Sequence, residues 1–111
     1  MENTAKSRVV LVCTAGITTG LLVKVVEIAA KERGVNLEIS SAPSIVAEQL
    51  IQQEKIDVLM IGPQLKYEVK RLEELLNYNG IPHKLISEES YQILDGESIL
   101  DEIVKLLPEQ G

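Results

Sequence analysis

Phenylalanine and tryptophan are absent from this chain, and tyrosine occurs only three times. The core must therefore be built from Val, Ile, Leu and Ala. A single cysteine, Cys13, excludes an intramolecular disulfide. A single histidine, His83, leaves two soft metal ligands in separate segments, so no metal site is expected. No cofactor is expected either. Cations are outnumbered: 11 Lys and Arg face 17 Asp and Glu, for a net charge of −6. That balance argues against nucleic acid as a partner and against a polybasic membrane patch. It leaves docking on a membrane-embedded protein open. No segment approaches the ~20 apolar residues that span a bilayer, so direct membrane insertion is not expected. The stretch from Met1 to Ser7 is polar and lacks the apolar run of a signal peptide. The expected location is cytoplasmic.

With 111 residues, 45% apolar and 25% charged, the chain suits one globular domain large enough to bury a core. Strand and helix signals alternate along it. Arg8 to Cys13 is a short apolar run, as in a parallel strand covered on both faces. Leu21, Leu22, Val25, Val26 and Ala29 then mark a helix face that Gly34 should cap. Val35 to Ser40 is a weaker strand, and Pro43 lies near the start of a poorly periodic helix running to about Glu54. Ile56 to Ile61 is a third strand, stopped at Gly62-Pro63. Leu65, Val69, Leu72 and Leu76 mark the next helix, closed by Gly80 and Pro82. His83 to Ile86 is a fourth strand, followed by a polar connection from Ser87 to Gly96. Asp95 can cap a last helix with Ile99, Leu100, Ile103, Val104 and Leu107 on its apolar face, stopped by Pro108. Four βα units predict a single-domain α/β fold: an open, doubly wound, four-stranded parallel sheet with helices on both faces. Residues 1–7 and 108–111 are expected to be tails around a domain of 8–107.

Ligands of such sheets bind beyond the carboxyl ends of the strands. Cys13 is predicted to end the first strand there. It opens the segment Cys13-Thr14-Ala15-Gly16-Ile17-Thr18-Thr19-Gly20, which is rich in small residues and leads into a helix. Converging backbone amides and the helix N-terminus suit a dianionic phosphoryl group without a cationic side chain. The same donors are expected to lower the thiol pKa and favour the attacking thiolate. The alternative is that Thr18 or Thr19 caps the helix while Cys13 merely fills space. That leaves a loop of small residues at this edge unexplained.

The run Val10-Leu11-Val12-Cys13-Thr14-Ala15-Gly16-Ile17-Thr18-Thr19, continuing into Leu21-Leu22-Val23, resembles the phosphocysteine loop of enzyme IIB of the bacterial sugar phosphotransferase system, lactose/cellobiose (chitobiose) type. Gly62-Pro63-Gln64 with Tyr67, and Tyr91 with Asp95-Gly96, resemble later segments of that family. The resemblance runs from about Arg8 to Leu107. It implies that Cys13 accepts a phosphoryl group from a phosphohistidine of enzyme IIA. It implies transfer onward to a sugar held by the membrane permease, enzyme IIC, the sugar being a β-linked disaccharide such as cellobiose, chitobiose or lactose. The chain would then be a cytoplasmic phosphotransferase, a monomer docking transiently at the membrane through its permease. Ile17 stands where Met is common in the family, and Thr18 and Gly20 replace frequent serines. Gly20 removes one possible hydroxyl donor.

Low-molecular-weight tyrosine phosphatases share this architecture and place Arg six positions after the cysteine, where it grips phosphate in a two-pronged bond. Here that position is Thr19. A hydrolase also needs an acid and a base, and Asp95 is the one candidate in the last connection. The loss of Arg favours relay over hydrolysis. A non-catalytic interaction module with an unreactive cysteine is the third reading. Gly62, Pro63 and Gln64 are expected at the rim of the cradle. Tyr67, Tyr91, Asp95 and Lys66 are candidate partner contacts. His83, the only possible phosphohistidine, should sit at the opposite sheet edge in a structural role.

Overall fold

The computed structural model describes residues 6–14 and 17–107, with the backbone alone at Ile17 and Thr18. The elements run β1 (Ser7–Cys13), α1 (Ile17–Arg33), β2 (Leu37–Pro43), α2 (Ala47–Gln53), β3 (Val58–Ile61), α3 (Val69–Tyr78), β4 (His83–Leu85), α4 (Glu88–Gln92) and α5 (Gly96–Leu106). Single 3-10 turns at Ser44–Val46 and Pro63–Leu65 precede α2 and α3. The four strands form one parallel sheet in the order β2-β1-β3-β4. This is the open, doubly wound α/β sheet expected from the alternation.

Alternation along the two central strands builds two cores. Val9, Leu11, Cys13, Val58 and Met60 point to the face covered by α1 and α5, where they meet Leu22, Val26, Ile99, Leu100 and Ile103. Val10, Val12, Leu59 and Ile61 point to the other face, where α2 and α3 supply Ala47, Ile51, Leu72 and Leu76. Both central strands are buried on both faces, which is why they read as continuous apolar runs. Edge strand β2 buries only Ile39 and Ala42, and its weak apolar signal follows from that position. Gly34 and Gly80, at φ +72° and +68°, supply the left-handed residues that end α1 and α3.

The structure departs from the expected elements in three places. Pro43 belongs to β2, paired with Cys13, and helix proper begins only at Ala47. α2 is therefore too short to show periodicity. The connection from Ser87 to Gly96 holds a short helix, α4, whose first turn carries Glu88 and Glu89. The Ser90 N–H donates to the Ser87 hydroxyl at 3.1 Å and so caps the helix. Ser7 is part of β1, opposite Leu37, so the strand starts one residue before the expected domain boundary. The tails at 1–5 and 108–111, with Pro108, lie outside the described residues. No helix among the described residues is long and apolar enough to cross a membrane.

Two helical glycines differ sharply in their surroundings. A Cβ on Gly20 in α1 would meet nothing within 4 Å, whereas one on Gly96 at the start of α5 would stand 2.4 Å from the Val25 carbonyl oxygen of α1. Gly20→Ala should therefore stabilise the protein by up to ~1 kcal/mol through helix propensity alone. Gly96→Ala should cost about 1–3 kcal/mol by forcing α5 off α1. Urea denaturation of the two variants against the parent measures both signs.

Candidate functional site

β1 carries Cys13 to the carboxyl edge of the sheet, level with Pro43 of β2 and one residue beyond the Val12–Ile61 pair with β3. Four residues on, α1 begins, with no acidic side chain in its first turn to offset the positive end of its dipole. Ala15 and Gly16 of the expected cradle lie outside the described residues, as do the side chains of Ile17 and Thr18. Thr14 and Gly20 are exposed.

The Cys13 side chain is packed inward, with 1% of its surface exposed. Two groups address its sulfur: the hydroxyl of Thr19 and the backbone N–H of Gly62. Thr19 is itself 6% exposed, and its hydroxyl also lies 3.5 Å from the Thr14 carbonyl oxygen. The Gly62 N–H donates to the Val12 carbonyl at 2.8 Å, which ties the end of β3 to the end of β1. A Cβ on Gly62 would stand 2.8 Å from Cys13 Sγ and 2.8 Å from Gln64 Oε1. Only glycine lets these two side chains approach the same spot.

Burial pushes the Cys13 thiol above its ordinary value, against the lowering effect of the Thr19 hydroxyl and the Gly62 amide. This corrects the expectation of a depressed pKa. The sequence showed donors converging on the sulfur but not how far the apolar core of α1 and α5 would close over it.

The remaining candidates divide into two groups. Gly62, Pro63 and Gln64 gather beside the cysteine. Pro63 and Leu65 are buried, and the turn is closed by Leu65 N–H to Gly62 O at 3.0 Å and Lys66 N–H to Pro63 O at 3.2 Å. Pro63 and Gln64 share a 230 Å³ cleft with Glu88, Tyr91 and Gln92. Tyr91 is almost wholly buried and belongs to the core on the α1 side. Glu88 and Gln92, one turn apart on α4, escaped sequence reading because α4 itself did. Tyr67 is 88% exposed, with the Lys66 ammonium 5.3 Å from its ring centre.

Asp95 and His83 have other engagements. Asp95 caps α5, accepting from the Ser98 N–H at 3.0 Å and the Ser98 hydroxyl at 2.8 Å. Those two bonds hold its carboxyl below the usual range. His83 opens β4 opposite Leu59, with Nδ1 3.0 Å from the Ile81 carbonyl oxygen and Nε2 3.6 Å from Glu73. All three arginines are paired with carboxylates elsewhere: Arg8 with Glu54, Arg33 with Glu97 and Asp101, and Arg71 with Glu48 and Glu68. Among the described residues no group of three or more His, Cys, Asp or Glu is gathered as metal ligands would be.

Fold and site together define a class: a doubly wound α/β domain presenting one thiol where its first strand turns into its first helix. Within that class the chain belongs to the family of lactose/cellobiose-specific IIB subunits of the phosphotransferase system, whose model matches residues 8–102. It is 28% identical over 95 residues to the galactose-specific EIIB component of Lactococcus lactis, covering 83% of this chain and 88% of that one. It is 25% identical over 103 residues to the oligo-beta-mannoside-specific EIIB component of Bacillus subtilis, covering 93% and 98%. The solution structure of a cellobiose-specific IIB component from Borrelia burgdorferi is similar at a TM-score of 0.75, with 29% identity over 93% of each chain. The lactose-specific IIB domain of Streptococcus pneumoniae has the same fold, at a TM-score of 0.79 with 14% identity over 91% of this chain and 97% of that one.

Two measurements follow from this geometry. Gly62→Ala should destabilise the protein by about 1–3 kcal/mol through overpacking and should change the alkylation rate of Cys13, because the new methyl displaces the sulfur or Gln64. Separately, the rate of Cys13 alkylation should keep rising with pH beyond the ordinary cysteine value of about 8.5. Thr19→Val should move that profile further up, and Thr19→Ser should restore it. The folded chain holds the thiol proton more tightly than the unfolded chain does. This contribution to stability is therefore complete below the ordinary value and is lost as pH rises through the folded one.

Proposed function

We propose that this chain is the phosphoryl carrier of a sugar phosphotransferase system, with Cys13 as its phosphocysteine. The observation that carries the reading is the position of Cys13 at the carboxyl end of β1, directly before α1, in a chain of the IIB family. The donor is a phosphohistidine of enzyme IIA. The Cys13 sulfur attacks phosphorus, the N–P bond breaks, and its electron pair goes to the imidazole nitrogen. The thiol proton ends on that nitrogen. A resting thiol with a raised pKa suits such a step, since its proton is needed by the leaving group. In the second transfer a hydroxyl of a sugar held by enzyme IIC attacks the same phosphorus. The S–P bond breaks, sulfur keeps the electron pair, and the proton lost by the hydroxyl restores the thiol.

The small-residue segment from Thr14 to Gly20 is the proposed cradle for the phosphoryl oxygens, through the unpaired amides that lead into α1 and its dipole. Relay fits better than hydrolysis. Position 19 holds threonine in place of arginine, every arginine is paired elsewhere, and Asp95 is committed to its cap. The protein works in the cytoplasm, meeting IIA in solution and IIC at the membrane. Relatives named for cellobiose and oligo-beta-mannosides support a β-linked oligosaccharide as the sugar.

Incubation with a phosphorylated enzyme IIA and its upstream donors should add the mass of one phosphoryl group, mapped to Cys13 and absent in Cys13→Ser. An unmodified parent protein, or a phosphoryl group mapped elsewhere, overturns the reading. Turnover of an aryl phosphate abolished by Cys13→Ala would replace it with a hydrolase.

A further inference from the structure

We infer that the carboxamide of Gln64 is a catalytic residue of the Cys13 site, the side-chain group that contacts the phosphoryl oxygens carried on sulfur. This deepens the phosphocysteine reading and rests on it. Cys13 Sγ and Gln64 Oε1 each lie 2.8 Å from the place a Gly62 methyl would occupy. Both therefore lie against the space that the missing Gly62 side chain leaves open. The two side chains differ in access: Cys13 is buried and Gln64 is exposed. A group reaching the sulfur over Gly62 passes the carboxamide.

The platform beneath Gln64 is rigid. Its neighbours Pro63 and Leu65 are both buried, and the 3-10 turn is anchored on Gly62, which is bonded to Val12. Exposure at Gln64 is thus a property of its side-chain direction in a fixed turn. It also borders the solvent-open cleft formed with Glu88, Tyr91 and Gln92.

A carboxamide has the chemistry this position needs. It carries an acceptor oxygen and two N–H donors on one planar group. The oxygen can accept from a neutral S–H that turns toward it. Rotation of the terminal amide offers an N–H to the thiolate or to a phosphoryl oxygen. No arginine is free for that task. A charge-assisted two-pronged grip is roughly twice as strong as a neutral bond, and a carrier must release its cargo as readily as it takes it. A neutral donor stabilises the transferring group without trapping it.

The test compares Gln64→Met, which keeps length and loses the donor, with Gln64→Glu, which keeps shape and adds a negative charge. Gln52→Glu on α2 controls for the added charge. Cys13 phosphorylation by phosphorylated enzyme IIA is timed by mass spectrometry, alongside the pH profile of thiol alkylation and the melting temperature. Gln64→Met should slow phosphorylation about a hundredfold, the lower end for loss of one transition-state donor. Gln64→Glu should slow it more and move the alkylation profile to higher pH. Both should melt with the parent, and Gln52→Glu should match the parent throughout. Parent-like rates in both Gln64 variants overturn the inference while leaving the carrier reading intact. So does a loss of rate that tracks a fall in melting temperature. A parent protein that is never phosphorylated on Cys13 removes both.

Discussion

Where β1 and β3 end side by side, the Gly62 N–H bonds the Val12 carbonyl, and the missing side chain at Gly62 leaves room for the Cys13 sulfur and the Gln64 carboxamide. The site depends on this narrow contact. The parallel register places Val12 against Ile61, so the next residue of each strand emerges at the same height. One is Cys13 and the other is glycine, the residue type that leaves room for its sulfur. The buried Pro63 and Leu65 then hold the following turn, and Gln64 with it, at a set distance from the sulfur.

Burial gives the thiol a particular resting state. Cys13 belongs to the apolar layer on the α1 side, and burial there pushes its thiol pKa up, which disfavours the reactive thiolate. The Thr19 hydroxyl and the Gly62 amide oppose that tendency without overcoming it. On the proposed carrier reading, such a group meets a partner that brings both the phosphoryl group and the base to take its proton. Phosphatase-type chemistry would instead need a cation fixed at the loop. This chain spends its arginines on its periphery, where Arg33 clamps α1 to α5 through Glu97 and Asp101.

The two faces of the sheet serve different ends. The α2/α3 face is an aliphatic layer supporting β1 and β3 from behind. The α1/α5 face includes Cys13, and its helices touch backbone to backbone where Gly96 meets Val25. The same layer takes in Tyr91 from α4, which links the cleft beside Gln64 to the core. A change in how α4 is seated therefore reaches the cysteine's surroundings through packing.

Much of this was legible without coordinates. Unbroken apolar runs at Val9–Val12 and Val58–Ile61 demand strands buried on both sides, and helices between them demand parallel pairing. The cap at Asp95, the glycine at position 34 and the placement of Cys13 at the sheet edge follow from local chemistry, which acts over a few residues. The one-turn helix α4 was not legible, because five residues are too few to reveal a period. Nor was the state of the thiol, since a pKa reflects everything packed within reach of the sulfur, most of it distant in sequence. The sequence by itself determined the order of elements, the place of Cys13 at the end of the first strand and threonine in place of arginine at position 19. Tertiary structure decided how closely Gly62 and Gln64 approach Cys13 and that burial raises its thiol pKa, because both depend on side chains brought together from separate strands and helices.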